Sequence, residues 1–218
     1  MSLNFAVVFD MDGVIVDTNP YHRTTIQQFC KKYGFQLTEE EMRNKVYGRT
    51  NREWITNLFG HLSEEQLEAY AFEKEQLFRD EYAPFIQPIK GLIEFLDLLE
   101  KNNIPRSIAT SAPRANVDFV LDRTHTRKYF ETILDERMVS HGKPNPEIYL
   151  KSAIALGIPN ERCIVIEDSL SGVTAGKSAG SKVIGITTTH SKEELHNTDL
   201  VINDFEGLSL RQLISLVN

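Results

Sequence analysis

Phe5-Ala6-Val7-Val8-Phe9-Asp10-Met11-Asp12-Gly13 is the stretch on which the reading of the fold turns. Five apolar residues, β-branched and aromatic members among them, run without a break into two acids and a glycine. A run of this length reads as a strand buried on both faces, the kind found in parallel sheets. Gly13 marks the sharp turn after it.

Working outward, the chain beyond Pro88 alternates between short strands and helices. Strands are predicted at about 107–110, 130–134, 163–166, 182–187 and 200–202. Helices are predicted on the face Leu92, Phe95, Leu96 and Leu99, from near Pro113, from Pro146 to a stop at Gly157, over 169–179, and on Leu210, Leu213, Ile214 and Val217. Such alternation predicts a parallel sheet with helices on both sides, a three-layer α/β core of Rossmann-like type. On the 169–179 helix, Gly172, Ala175, Gly176 and Ala179 make one small-residue face, read as a surface for close packing.

Between the first and second strands the pattern is helical throughout. Ile26, Phe29, Cys30 and Tyr33 share one face, and Gly34 is a plausible stop. Thr38 with Glu41, and Ser63 with Gln66, are capping-box pairs that open further helices. Residues 17–86 are therefore expected to form an inserted all-helical cap domain, with 1–16 and 87–218 as the catalytic core. An insert at the carboxyl end of a strand is well placed to act as a lid. Trp54 is expected in the cap core, with the substrate pocket as its other possible place.

In an open parallel sheet, ligands bind beyond the carboxyl ends of the strands. Here those ends carry Asp10 and Asp12, then Thr110, then Glu167 and Asp168, with Lys143 in a Pro-rich turn nearby. Each is weak evidence alone, since paired acids are usually solvated, but their convergence points to one site. The Asp-x-Asp-Gly run is not a calcium loop, because the twelfth residue from Asp10 is Tyr21 where a Glu is required.

These residue types suit phosphoryl transfer. A carboxylate attacks phosphorus and holds the phosphoryl group covalently, which assigns Asp10 as nucleophile and metal ligand. Two anions repel, so a divalent cation is needed between them, and an oxygen-only site suits Mg2+. Asp12 is the general acid and base, with its backbone carbonyl on the metal. Asp168 is the second carboxylate ligand and Glu167 a ligand or a supporting acid. Thr110 and the Ser111 amide hold phosphate oxygens, and Lys143 neutralises the intermediate.

The motifs Asp10-Met11-Asp12-Gly13-Val14-Ile15-Val16-Asp17, Ser107-Ile108-Ala109-Thr110-Ser111, Gly142-Lys143-Pro144-Asn145-Pro146 and Ile166-Glu167-Asp168-Ser169 stand in this order. Together they resemble the haloacid dehalogenase superfamily of aspartate-nucleophile phosphotransferases. The insert looks like the small helical cap of its beta-phosphoglucomutase-like branch, whose Thr and His after the first motif are matched by Thr18 and His22. The resemblance implies strand order 3-2-1-4-5, a cap that closes over substrate, and His22 holding Asp12 on closure. Dehalogenases of the superfamily lack an acid two residues after the nucleophile, so Asp12 implies phosphoryl chemistry.

The break Tyr47-Gly48-Arg49-Thr50 between cap helices offers Gly48 and Arg49 as substrate contacts, with Arg52 as Arg49's rival for a distal anionic group. Mutases of this branch carry a Lys before the cap glycine, where this chain has Tyr47. The expected activity is therefore hydrolysis of a small phosphorylated metabolite. A beta-phosphoglucomutase-like mutase is the second reading, and a non-catalytic phosphometabolite sensor the third.

Composition sets outer bounds. A chain of 218 residues with 41% hydrophobic residues can form a core without staples. A net charge of −7 disfavours nucleic acid and anionic membranes as partners but not a small anionic substrate met by local cations. No run approaches a membrane span, and no basic-then-apolar N-terminal leader is evident. The two cysteines, Cys30 and Cys163, are read as buried hydrophobes in a reducing cytoplasm. A monomer is the default expectation.

Overall fold

In the computed structural model, which describes residues 4–46 and 49–218, the chain divides into two compact units, Met1–Asp17 with Ile86–Asn218, and Thr18–Phe85.

The first unit is built on β1 (Ala6–Phe9), each of whose residues is buried. β1 pairs in parallel with β2 (Arg106–Ala109) on one side and β4 (Cys163–Glu167) on the other. β3 (Thr132–Leu134) adds to β2, β5 (Lys182–Ile186) to β4, and β6 (Leu200–Ile202) to β5. The order is β3-β2-β1-β4-β5-β6. This matches the expected order of the first five strands. The short 200–202 run adds an edge strand, half-buried along its length. Phe130 lies outside β3, buried with its ring edge-on to Phe9 at 5.6 Å.

Alternation along β1 directs its side chains to opposite faces. Ala6 and Val8 join Ile148, Tyr149 and Ala153 of α7 (Glu147–Leu156) and Val173 and Ala175 of α8 (Leu170–Ser178) in one apolar cluster. Phe9 turns the other way, 6.1 Å from Phe95 of α5 (Leu92–Lys101) and 6.2 Å from Phe205. Helices thus cover both faces, which lets an uninterrupted apolar strand exist at the centre. α6 (Arg114–Arg123) and α9 (Leu210–Val217) complete the unit's α-helices among the described residues.

The second unit is helical among the described residues: α1 (Asn19–Lys32), α2 (Glu39–Lys45), α3 (Asn51–Phe59) and α4 (Glu64–Tyr82). Thr38 with Glu41 and Ser63 with Gln66 form the expected capping boxes, and Thr50 with Glu53 forms a third. Each satisfies amides that the first helical turn leaves without partners. Phe29 is fully buried at the centre, ringed by Tyr33 at 4.8 Å, Trp54 at 5.6 Å and Tyr70 at 6.1 Å. Trp54 is core, 1% exposed, its indole N–H donating to Asn51 Oδ1 at 3.0 Å.

Cys30 and Cys163 are free thiols, and burial pushes each up to about 11. Among the described residues no helix is long and apolar enough to cross a membrane.

Replacing Phe29 with Ala would leave a cavity that the surrounding rings cannot close. We expect a loss of about 3–5 kcal/mol, read as a lowered denaturant midpoint for the helical unit. A loss below about 1 kcal/mol would show that Phe29 is not its keystone.

Candidate active site

The parallel register fixes the geometry. Phe9 stands beside Ile108 on one side and Ile166 on the other, so the residues after them emerge in a row at one edge. The row continues the sheet: the Asp10 amide donates to the Ile166 carbonyl and the Thr110 amide to the Leu134 carbonyl, each at 3.0 Å. Asp10, Thr110, Glu167 and Asp168 are all buried there.

Lys143 enters from the turn before α7 and ties the row together. Its Nζ donates to Asp10 Oδ1 at 2.5 Å, to Glu167 Oε1 at 2.7 Å and to the Ala109 carbonyl at 3.1 Å. It also lies 5.0 Å from the centre of the Tyr149 ring. Burial works against the charge on this ammonium, but the Asp10 and Glu167 carboxylates outweigh it and hold the Lys143 pKa well above the usual lysine value.

Glu167 is wholly buried and richly partnered. Oε1 accepts from Lys143 and from the Tyr149 hydroxyl, both at 2.7 Å. Oε2 accepts from the Asp168 amide, the Ser169 amide and the Ser169 hydroxyl, each at 3.0 Å. Burial would raise its pKa, yet Lys143 and these donors hold it below the ordinary value. These contacts tie Glu167 to Lys143, to Tyr149 and to the start of α8.

The carboxylate also needs space. A Cβ at position 172 would stand 1.6 Å from Glu167 Oε1 and 2.4 Å from Oε2. Gly172 therefore serves the site, which corrects the expectation that the whole small-residue face of α8 is packing. Gly176, one turn on, does pack, its absent Cβ 3.0 Å from Val183 and 3.3 Å from Val165.

Carboxylate oxygens of Asp10, Glu167 and Asp168 lie within 4.8 Å of one another, close enough to share one cation. Burial, together with the charges of Glu167, Asp168 and Asp12, raises the Asp10 pKa well above the ordinary value even though Lys143 opposes the rise. Burial and the Glu167 charge lift Asp168 to about 7. Two acids held this far up, in an oxygen-only donor set, fit a site that gathers more negative charge than Lys143 can balance. Asp12 is half-buried in the loop that Asp12 and Val16 close with a β-bridge. The Thr110 hydroxyl accepts from the Ala112 amide at 3.0 Å, and Ser111 is exposed beside it.

The remaining expected residues lie in the helical unit. Thr18 is buried at the start of α1. His22 stacks on Phe78, ring centres 3.8 Å apart and nearly parallel at 9°, with Nδ1 3.0 Å from Lys74 Nζ. Lys74 is itself buried, paired with Glu75 Oε1 at 2.8 Å, and the Asn51 amide donates to the same oxygen at 2.7 Å. Burial alone would raise Glu75, but Lys74 and His22 hold it down at about 2. Neither Lys74 nor Glu75 was expected from sequence, because adjacent opposite charges on a helix usually mark a solvated face.

The two arginines differ. Arg49 is exposed, its Nη2 donating to the Asn44 carbonyl at 2.9 Å. Arg52 forms a two-pronged ion pair with Glu64 at 2.9 and 2.5 Å, also exposed. Gly48 and Tyr47 lie outside the described residues.

The chain has known relatives. The model of the haloacid dehalogenase-like hydrolase family matches residues 7–186, and the chain belongs to that family. It is 32% identical over 183 residues to the phosphorylated carbohydrates phosphatase of Thermotoga maritima, covering 83% of this chain and 84% of that one. It is 27% identical over 216 residues to the beta-phosphoglucomutase of Bacillus subtilis, covering 95% and 93%. Among solved structures, a family IA, variant 3 hydrolase of the same class from Entamoeba histolytica superposes with a TM-score of 0.90 at 33% identity, covering 98% of this chain and 99% of that one.

The Lys74–Glu75 pair generates a pH test. A carboxyl depressed to about 2 in the folded chain contributes stability that is present above its ordinary value of 4.5 and is lost as pH falls through about 2. We expect Glu75→Gln to cost about 3 kcal/mol near neutrality by stranding Lys74. The gap to wild type should close as pH falls between 4.5 and about 2. Denaturant midpoints across that window check this, and a gap independent of pH would contradict it.

Proposed function

We propose that this chain is a Mg2+-dependent phosphatase that hydrolyses a small phosphorylated metabolite, a sugar phosphate or similar, through an aspartyl-phosphate on Asp10. The observation that carries the reading is the buried ammonium of Lys143 held between Asp10 and Glu167 at 2.5 and 2.7 Å, with Asp168 in the same acidic group.

In this reading an Asp10 carboxylate oxygen attacks phosphorus, the bond to the leaving oxygen breaks, and Asp12 delivers the proton that oxygen needs. Asp12 then takes a proton from water as water attacks the phosphoryl group and frees the Asp10 carboxylate. Lys143 offsets the charge on the reacting oxygens, and Thr110 and the Ser111 amide donate to them. Asp10, Asp168 and the Asp12 carbonyl would hold the cation, with Glu167 positioning Lys143. A bound Mg2+ supplies the positive charge that lets an ionised Asp10 and a phosphate approach each other.

The phosphatase names of relatives support the substrate class, among them hexitol phosphatase A of Escherichia coli, 29% identical over 205 residues. One observation favours the mutase as a second reading: the 27% identity over 216 residues to the beta-phosphoglucomutase of Bacillus subtilis. Of the two exposed arginines Arg52 is engaged by Glu64, which leaves Arg49 as the candidate for a distal anion.

The test is phosphate release with Mg2+ and with chelator, across sugar phosphates, nucleotides and small esters, with beta-glucose 1-phosphate followed for glucose 6-phosphate. We expect Mg2+-dependent release, lost in Asp10→Asn. Isomer without release would establish the mutase, and undiminished turnover by Asp10→Asn would remove the nucleophile assignment. Gly172→Ala, which displaces Glu167 and with it Lys143, should lower kcat by about 100-fold. Wild-type kcat in that variant would detach Glu167 from the chemistry.

A further inference from the structure

The loop that leaves β5 carries Thr187-Thr188-Thr189 and reaches the acidic row from a strand end with no acid of its own. Thr187 anchors it to the sheet edge, its amide donating to the Ile202 carbonyl and its hydroxyl to Asn203 Oδ1, each at 3.0 Å. The Thr188 hydroxyl donates to the Gly13 carbonyl at 2.6 Å. The Thr189 hydroxyl makes a short hydrogen bond to Asp168 Oδ2. The next turn is closed by the Ser191 amide donating to Glu194 Oε2 at 2.8 Å.

The same Asp168 oxygen occupies space that a side chain at position 13 would need. Gly13 has φ +77, and a Cβ there would stand 2.1 Å from Asp168 Oδ2. Oδ2 therefore lies close to both Gly13 and the Thr189 hydroxyl, and the loop holding that hydroxyl is pinned to Gly13 by Thr188. A carboxylate clasped through one oxygen has its rotation about χ2 restricted.

We propose that Thr189 is a positioning residue for the metal site, clasping Asp168 through Oδ2 so that its carboxylate is held in place for the divalent cation. The clasp rests on the Mg2+ reading of the site. Removing hydrogen-bond partners of metal-ligating carboxylates typically weakens metal affinity by about 10–100-fold. Thr189 is itself exposed, so its substitution takes little from the core.

The experiment is calorimetric titration of Mg2+ into metal-free wild type, Thr189→Val, Thr189→Ser and Asp168→Asn, with thermal midpoints measured in chelator. We expect wild type to bind one Mg2+, Asp168→Asn to lose it, and Thr189→Val to bind at least about 10-fold more weakly. Thr189→Ser should return to within about threefold of wild type, and the midpoints of both Thr189 variants in chelator should match wild type. Wild-type affinity in Thr189→Val, with Asp168→Asn impaired, overturns the clasp and leaves the metal reading standing. Equal losses in the Val and Ser variants also overturn it, because the hydroxyl would not be the cause. Absence of Mg2+ binding by wild type overturns the metal reading, and the clasp with it.

Discussion

The carboxyl edge of the sheet depends on one buried ammonium. Lys143 accounts for why Asp10, Glu167 and the Ala109 carbonyl, at the ends of three adjacent strands, can face one another away from water. Removing a partner from such a group strands a charge where solvent cannot reach it, which is far costlier than the pair is worth. Yet the balance is incomplete: three buried carboxylates meet one lysine. Burial, with that excess negative charge, accounts for the raised Asp10 and Asp168, and the excess is what a divalent cation would neutralise.

Much of this edge was legible in the sequence because one rule applies to it. Parallel strands deliver ligand-binding groups at their carboxyl ends. The residues at and just past the ends of β1, β2 and β4 are Asp10, Asp12, Thr110, Glu167 and Asp168. The same rule applied to β5 leads to Thr188 and Thr189, but hydroxyls attract less notice than acids. Gly172 escaped for a different reason. Two glycines one turn apart on α8 look alike in sequence, and only three-dimensional placement separates Gly176 against Val183 from Gly172 against Glu167.

The helical unit shows the limits of local pattern. Its helices were marked by apolar spacing and capping pairs, and Trp54 resolves to its core. Lys74 and Glu75 were passed over, since only tertiary packing of α4 against His22 and Asn51 shows that they are buried. Arg52 is the converse, a candidate for substrate that is engaged by Glu64 from the next helix, a pairing that spacing within one helix cannot reveal.

The central claim is a covalent phosphoryl group on Asp10, and trapping it is the most direct test. Enzyme mixed with a labelled substrate and Mg2+ would be quenched in acid during turnover, then digested and mapped by mass spectrometry. The predicted result is a hydroxylamine-labile phosphoryl label on the peptide containing Asp10, absent from Asp10→Asn and from enzyme quenched after substrate is exhausted. Turnover with no label on that peptide, or a label that persists in Asp10→Asn, would contradict the claim.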